Sequence, residues 1–353
     1  MNIFDKIVNS YQKKQPFVVY RKPESIDFAG FFQKNDTLYF LDDTSKSGFI
    51  FAPFNASNKT IFFSSEKTDF ISEKLHFTSL ENSDYNFVEN SIQKENHIKI
   101  VQNAIDEISK GTFKKVVISR KEAIKLKGFN LVEVFQKLLQ NYPTAFVYVW
   151  FHPKVGLWLG ATPETLLKIE NSDFETMSLA GTQVANDLQH AVWQQKELIE
   201  QGLVTSFIQN QLKNLSSDLE TSPIETIKAG NLFHLRTKVS GKLNLEKSAL
   251  KDLIEALHPT PAVCGLPRNE SKKFILENEN YDREFYTGFL GELNLNNYDS
   301  DVKKSMLYVN LRCMKIIETT ANLFIGGGIT KDSNPEKEWQ ETVSKSKTMK
   351  LVL

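Results

Sequence analysis

The first eighty residues alternate between turn residues and short runs crowded with aromatic and β-branched side chains. FVVY at 17–20, DFAGFF at 27–32, TLYFL at 37–41, GFIFAPF at 48–54 and TIFF at 60–63 each predict a strand. Asn35-Asp36 and Asn55-Ala56-Ser57-Asn58 supply turns between them. A polar stretch near residues 82–95 reads as a surface connection. The period then changes. Ile98, Val101, Ile105 and Ile108 fall on one helical face, and Gly111 stands where a C-terminal cap is expected. KKVVISR at 114–120 predicts a strand, and Leu131, Val134, Phe135 and Leu138 mark a helix that Asn141-Tyr142-Pro143 ends. AFVYVWF at 145–151, LWLGATPE at 157–164 and FETMSLAG at 174–181 predict an antiparallel meander.

Helical spacing returns over roughly 188–214 and again over 248–257, where Leu250, Leu253, Ile254 and Leu257 are in register. YTGFLGELNL at 286–295, MLYVNLRCMKI at 306–316 and ANLFIGGGI at 321–329 read as strands. A last helix begins near Ser333-Asn334-Pro335, with proline in the first turn, where its missing N–H costs nothing. Strand clusters joined by hairpins, with helices between clusters, predict an α+β protein with large antiparallel sheets. The regular βαβ alternation and glycine fingerprint of a dinucleotide-binding fold are missing.

Composition narrows the class. A chain of 353 residues suggests two domains or one large one. Forty-three basic residues balance forty-three acidic ones, so the chain lacks the basic excess expected for nucleic acid or a membrane surface. No stretch approaches ~18 uninterrupted apolar residues, and the N-terminus lacks an apolar leader, so a cytoplasmic location is expected. Cys264 and Cys313 belong to no CxxC pair, which predicts two buried free thiols rather than a zinc site.

A few residues could carry chemistry. In a strand over 114–120, Lys115, Val117 and Ser119 share one face and Lys114, Val116 and Ile118 the other. A buried lysine is a usable base near neutral pH, whereas the plainer reading sends both lysines to solvent along their stems. Glu164 in GATPETLL either faces a cleft or sits in a wet turn. Glu197 and Glu200 are i,i+3 on one predicted helix; Glu338 and Glu341 repeat the spacing on the last, with Lys345 one turn on. Two such faces meeting would offer oxygen ligands to Mg²⁺, and each alone reads as a solvated face. The glycines of LFIGGGI either let backbone approach a ligand or make a tight turn. Alternation along 306–316 puts Arg312 on one face with Tyr308 and Asn310, where a guanidinium can clamp a carboxylate. His234 reads as a satisfied core histidine before an acid or base.

The order of these segments carries more than any one of them. FKKVVISR at 113–120, GATPETLL at 160–167, SLAGT at 178–182, KELIE at 196–200 and HLRTKVSG at 234–241 are followed by HPTPAVCGLPR at 258–268, REFYTGFLGEL at 283–293, LRCMKI at 311–316 and GGGITKDSNPEKEWQETVSK at 326–345. Together they resemble the chorismate-utilising enzymes: isochorismate and salicylate synthases, and the large components of anthranilate and aminodeoxychorismate synthases. The resemblance covers roughly residues 95–350. It implies one α+β domain of two packed antiparallel sheets with helices outside, residues 1–90 forming its β-rich N-terminal part and 95–353 its catalytic region.

Within the family, the position of Lys115 is typically glutamine in anthranilate synthases, and that of Ala262 is threonine in salicylate synthases. The text here is most similar to isochorismate synthases. Glu200-Gln201 departs from the Glu-His of many members, and GGG from their GAG. The resemblance implies Lys115 as general base and Glu164 as general acid. It implies Mg²⁺ held by Glu200 and Glu341, with Glu197 and Glu338 close by. Arg312, Tyr286 and the backbone at Gly326 and Gly328 would hold substrate, with Lys345, Gly181, Thr182, His234 and Ala262 around it. The implied substrate is chorismate, taken by a monomer that needs no glutaminase subunit. Salicylate synthase and an inactive chorismate-binding protein are the alternatives.

Overall fold

In FVVYR and FVYVWFH every residue is buried, which requires sheets covered on both faces. The computed structural model describes residues 2–76, 80–81, 91–184, 191–229, 232–245, 248–296 and 302–353. In chain order the elements begin with α1 (Ile3–Gln12), β1 (Phe17–Arg21), β2 (Asp27–Gln33), β3 (Gly48–Ala52), β4 (Ile61–Ser64) and β5 (Thr68–Lys74). Next come α2 (Ser91–Ser109), β6 (Lys115–Lys125), α3 (Leu131–Asn141), β7 (Phe146–His152), β8 (Gly156–Thr162), β9 (Thr165–Glu170) and β10 (Asp173–Val184). They are followed by α4 (Gln195–Leu212), β11 (Ser216–Thr221), β12 (Glu225–Ala229), β13 (Leu232–Leu243), α5 (Leu250–Leu257), β14 (Gly265–Leu266) and α6 (Arg268–Asn278). The chain closes with β15 (Phe289–Asn296), β16 (Lys303–Val309), β17 (Cys313–Ile317), β18 (Thr320–Ile329) and α7 (Pro335–Lys350).

The strands form two antiparallel sheets. One runs β14-β6-β18-β17-β8-β7-β1-β2-β5; the other runs β11-β13-β10-β9-β16-β15-β3-β4, with β12 added on β13. Side-chain alternation sorts the core into layers. Tyr20, Phe51, Tyr148, Trp150, Trp158 and Tyr308 meet between the sheets. Their neighbours one residue away, such as Val19, Val149 and Leu159, pack outward against α1 and α3. On the far face of the second sheet, Leu166, Val239 and Leu307 pack against α4 and α5. This is a single α+β domain of two packed sheets with helices outside.

Several expectations change in detail. TLYFL at 37–41 makes only an isolated bridge from Phe40 to Ile61, so it is not a strand. The amphipathic α1, the edge strand β5, β9 and α6 were not anticipated by the hydrophobic pattern. The surface connection falls on residues 82–90, outside the described residues, and 91–95 belong to α2. The helix expected over 188–214 is α4, with 188–190 outside the described residues. The expected meander is two hairpins in different sheets, β7–β8 and β9–β10. Gly111, at φ +84, does cap α2. Both cysteines are buried and free.

Phe51 is fully buried at the centre of the inter-sheet layer, stacked on Phe285 at 4.2 Å and touching Trp150 at 5.0 Å. Phe51→Ala should destabilise the domain by about 3–5 kcal/mol, read as a lower midpoint in urea with an unchanged slope.

Candidate active site

Two places where the chain crosses between the sheets set the geometry of one cleft. β8 stops at Thr162 because Pro163 cannot donate to a ladder, and the chain re-enters as β9 in the other sheet. β16 stops at Val309 and the chain returns to the first sheet as β17. The crossings bond each other: Thr162 Oγ1 donates to Val309 O at 2.6 Å, Val309 N to Glu164 O at 3.0 Å, and Ala161 N to Arg312 O at 3.0 Å. Arg312 sits in the left-handed region at φ +47. The expected single strand over 306–316 is therefore broken at 310–312, and the strand-face argument for Arg312 is replaced by a turn that aims it. Glu164, only 4% exposed, is likewise not a wet turn residue.

The wall of the cleft is the β6–β18 ladder, in which Gly326, Gly327 and Gly328 oppose Ser119, Ile118 and Val117. The glycines lie inside a strand rather than in a turn. Val117 N donates to Cys264 O and Ser119 N to Glu279, both away from β18. Ladder alternation then turns the N–H groups of Gly326 and Gly328 to the opposite edge, beyond the end of β17. Gly326 O accepts from Lys345 Nζ at 3.0 Å on that side. A Cβ on Gly328 would lie 2.9 Å from Glu200 Oε1, and one on Gly326 would lie 2.8 Å from Tyr286 Oη. The glycine run clears the space that these side chains occupy.

On β6 the alternation resolves the lysine pair: Lys114 is exposed and Lys115 is 1% exposed. Lys115 Nζ pairs with Glu200 Oε1 at 2.7 Å, and Lys345 Nζ with Glu341 Oε1 at 2.6 Å. Helices α4 and α7 thus bring their carboxylates to the glycine wall from two sides. Glu338 Oε2 and Glu341 Oε1 lie 3.5 and 3.6 Å from where a Cβ on Gly327 would stand. Glu338 is buried, so the solvated-face reading fails for it. Glu197 caps its own helix through Gln194 N at 2.9 Å and backs against Gly181, whose φ of +65 marks a bulge in β10.

Burial pushes the Glu164 carboxyl up to about 8, against the pull of Lys115, Arg312 and Lys345. Burial, reinforced by Arg312 and Lys345, lowers His234 to about 3, so its ring is neutral at ordinary pH. His234 Nδ1 lies 3.1 Å from Gly181 O, and the backbone of Thr182 pairs with His234 across β10 and β13; the Thr182 side chain is outside the described residues. Tyr286 stacks on Phe324 at 5.5 Å in the turn before β15, not within the strand. Lys115, Glu164, Gly181, Glu197, Glu200, His234, Ala262, Tyr286, Arg312, Gly326, Gly328, Glu341 and Lys345 line one cavity, whose atom-free space of about 1070 Å³ includes its open mouth. The cavity also takes in Val117, Thr287, Leu311 and Leu323, apolar or neutral residues that carried no chemical signal in the sequence.

Carboxylate oxygens are the kind of donor that Mg²⁺ takes. Among the described residues, no three His, Cys, Asp or Glu side chains form a ready-made metal cluster. Glu200 and Glu341 nonetheless supply hard oxygen donors on either side of one glycine wall. Mg²⁺ characteristically takes one or two protein carboxylates and completes its shell with water and substrate oxygens. Glu200 and Glu341 are donors of that kind and line the same cavity, each paired with a lysine.

The profile of the family described as chorismate binding enzyme matches residues 24–353. The isochorismate synthase EntC of Escherichia coli K12 is 32% identical over 61% of this chain and 56% of its own length. The isochorismate synthase MenF of Bacillus subtilis is 29% identical over 73% of this chain and 55% of its own length. The match therefore spans about half of each relative. Among solved structures, the menaquinone-specific isochorismate synthase MenF of Escherichia coli shares the fold at a TM-score of 0.78, with 21% identity, over 96% of this chain and 88% of its own. Anthranilate synthase component I of Streptococcus pneumoniae does so at 0.71, with 19% identity, over 95% and 92%. A profile that runs through both sheet crossings, the glycine wall and the carboxylate helices makes this chain a member of the chorismate binding enzyme family.

Proposed function

We propose that the protein is an isochorismate synthase, which interconverts chorismate and isochorismate by adding water at C2 and losing the C4 hydroxyl. The arrangement that carries the reading is two buried groups facing one cavity: Lys115, paired with Glu200, and Glu164, whose carboxyl burial pushes up to about 8. Lys115, aimed by Glu200, acts as the base in its neutral form, after giving up its own proton, and takes a proton from the attacking water. Glu164 gives its proton to the departing hydroxyl. Arg312 and the turned-out N–H groups of Gly326 and Gly328 bind a substrate carboxylate, with Tyr286 closing that side. His234, neutral, is a hydrogen-bonding wall rather than a charge. The names of the relatives support the same activity.

Glu200 and Glu341 would hold Mg²⁺, with Glu197 and Glu338 as nearby carboxylates. The ion would offset the charge of a substrate carboxylate next to protein carboxylates. Lys rather than Gln at 115 favours water over ammonia as nucleophile. Ala262 brings no hydroxyl to the cavity, which favours stopping at isochorismate over going on to salicylate. We further propose that the enzyme acts as a cytoplasmic monomer without a glutaminase subunit.

Proton NMR of chorismate with enzyme and Mg²⁺ should show isochorismate appearing to a persistent mixture, with no stoichiometric pyruvate and no response to ammonium. Pyruvate and salicylate rising together would move the protein to the salicylate branch, and no turnover would leave an inactive binder. Lys115→Gln and Glu164→Gln should each lower turnover at least ~100-fold. Excess chelator should abolish activity and added Mg²⁺ restore it, and Glu341→Ala should remove that response. Full activity in chelator would refute the metal assignment.

The Glu164 proton also predicts a stability signature. Its folded value, about 8, lies above its ordinary 4.5, so between those values the folded state holds the proton longer than the unfolded chain. The stabilisation is complete at low pH and is lost as pH rises through about 8. Urea unfolding from pH 5 to 8 should show wild type losing stability relative to Glu164→Gln as pH rises. Turnover should fall over the same upper limb. A pH-independent difference between the two proteins would show that Glu164 ionises normally.

A further inference from the structure

Behind the cavity wall lies an ion pair that touches none of the reacting groups. Arg283 and Glu279 are each 2% exposed at the side chain, and they pair through Arg283 Nε and Glu279 Oε2 at 2.7 Å. Every guanidinium donor is used. Beyond its two bonds to Glu279, Arg283 Nη2 donates to Val117 O at 2.7 Å, and Nη1 to Val263 O at 3.0 Å and to Thr287 Oγ1 at 3.2 Å. Glu279 Oε1 in turn accepts from Ser119 N at 2.7 Å and from Ser119 Oγ at 2.8 Å.

The residues that the pair bonds belong to separate segments, and each segment carries cavity residues. Val117 and Ser119 are on β6 with Lys115. Val263 follows Ala262 in the loop before β14. Thr287 follows Tyr286 in the turn before β15. No backbone ladder joins all three: β14 and Cys264 before it bond β6 between Lys114 and Val117, but among the described residues neither bonds the Tyr286 turn through its backbone. The guanidinium plane is the common tie, and it stacks on Phe54 at 4.7 Å.

The structure assigns Arg283, with Glu279, as a positioning residue that sets the spacing of the Lys115 strand, the Ala262 loop and the Tyr286 turn around the substrate. The assignment rests on the isochorismate synthase reading for its kinetic arm, and on chorismate binding alone for its affinity arm. A fork of fixed geometry can serve three acceptors and a carboxylate at once; a lysine ammonium at the same place cannot. Displacing a catalytic wall by about 1 Å is enough to cost up to ~100-fold in rate.

The test is Arg283→Lys in the full chain, with Ser119→Ala as a milder variant that keeps the ion pair and removes one tie to β6. Folded fraction is read from thermal melts, kcat and KM from isochorismate formation, and chorismate affinity from calorimetric titration. In Arg283→Lys, kcat per folded molecule should fall at least ~10-fold and chorismate affinity should weaken, with Ser119→Ala shifting both the same way by less. A residue that only holds the fold together would lower the melting temperature and leave kcat and affinity per folded molecule unchanged; that result overturns the assignment. If Arg283→Lys does not fold, wild-type constants in a destabilised Ser119→Ala overturn it equally. Wild type that binds but does not convert chorismate would sink the enzymatic reading instead, and the affinity arm would then decide the positioning role by itself.

Discussion

The knot between the two sheet crossings is the constraint on which the site depends. A strand that leaves one sheet for another gives up its ladder, and buried N–H and C=O groups cannot be left without partners. Here the crossings at 162–164 and 309–312 satisfy each other, chain against chain. Asn310 extends the knot: its Oδ1 accepts from Tyr148 Oη at 2.7 Å, its Nδ2 donates to Phe285 O at 2.9 Å, and its backbone exchanges bonds with Thr287 and Gly288. Glu164, Arg312 and Tyr286 therefore hang from one hydrogen-bonded junction. The relative placement of Glu164 and Arg312 is a consequence of how the two sheets are joined.

Charge within the cavity is distributed so that carboxylates of the same type do different things. Glu200 and Glu341 each have a lysine within 2.7 Å. At Glu164 burial outweighs the pull of more distant cations, and the proton stays. The environment thus separates a protonated carboxyl from two ion-paired carboxylates without any difference in side-chain chemistry. The glycine wall makes this crowding possible, because a side chain at Gly328 would collide with the Lys115–Glu200 pair.

Much of this was legible in the chain. Strand clusters, the α2, α3, α5 and α7 helices and the α+β class follow from period and turn residues, which are local properties. The spacing of Glu197 with Glu200 and of Glu338 with Glu341 puts each pair on one helical face whatever the packing. The order of the motifs pointed to the family, and with it to the residues that line the cavity. Where local reading erred, a long-range partner was responsible. TLYFL has strand character but meets β4 only at the Phe40–Ile61 bridge, and MLYVNLRCMKI is continuous in pattern but divided between two sheets.

What the sequence determined by itself is therefore the inventory: apolar periods that require two-sided sheets, helices that carry carboxylates in doublets, and a lysine pair of which alternation allows one to point inward. Which lysine is buried, which glutamate keeps its proton, and that Arg283 ties three distant segments together were decided only by the tertiary structure. The physical reason is range. Period, capping and turn chemistry act over a few residues, whereas desolvation and buried ion pairing depend on atoms brought close by the fold from segments far apart in the chain.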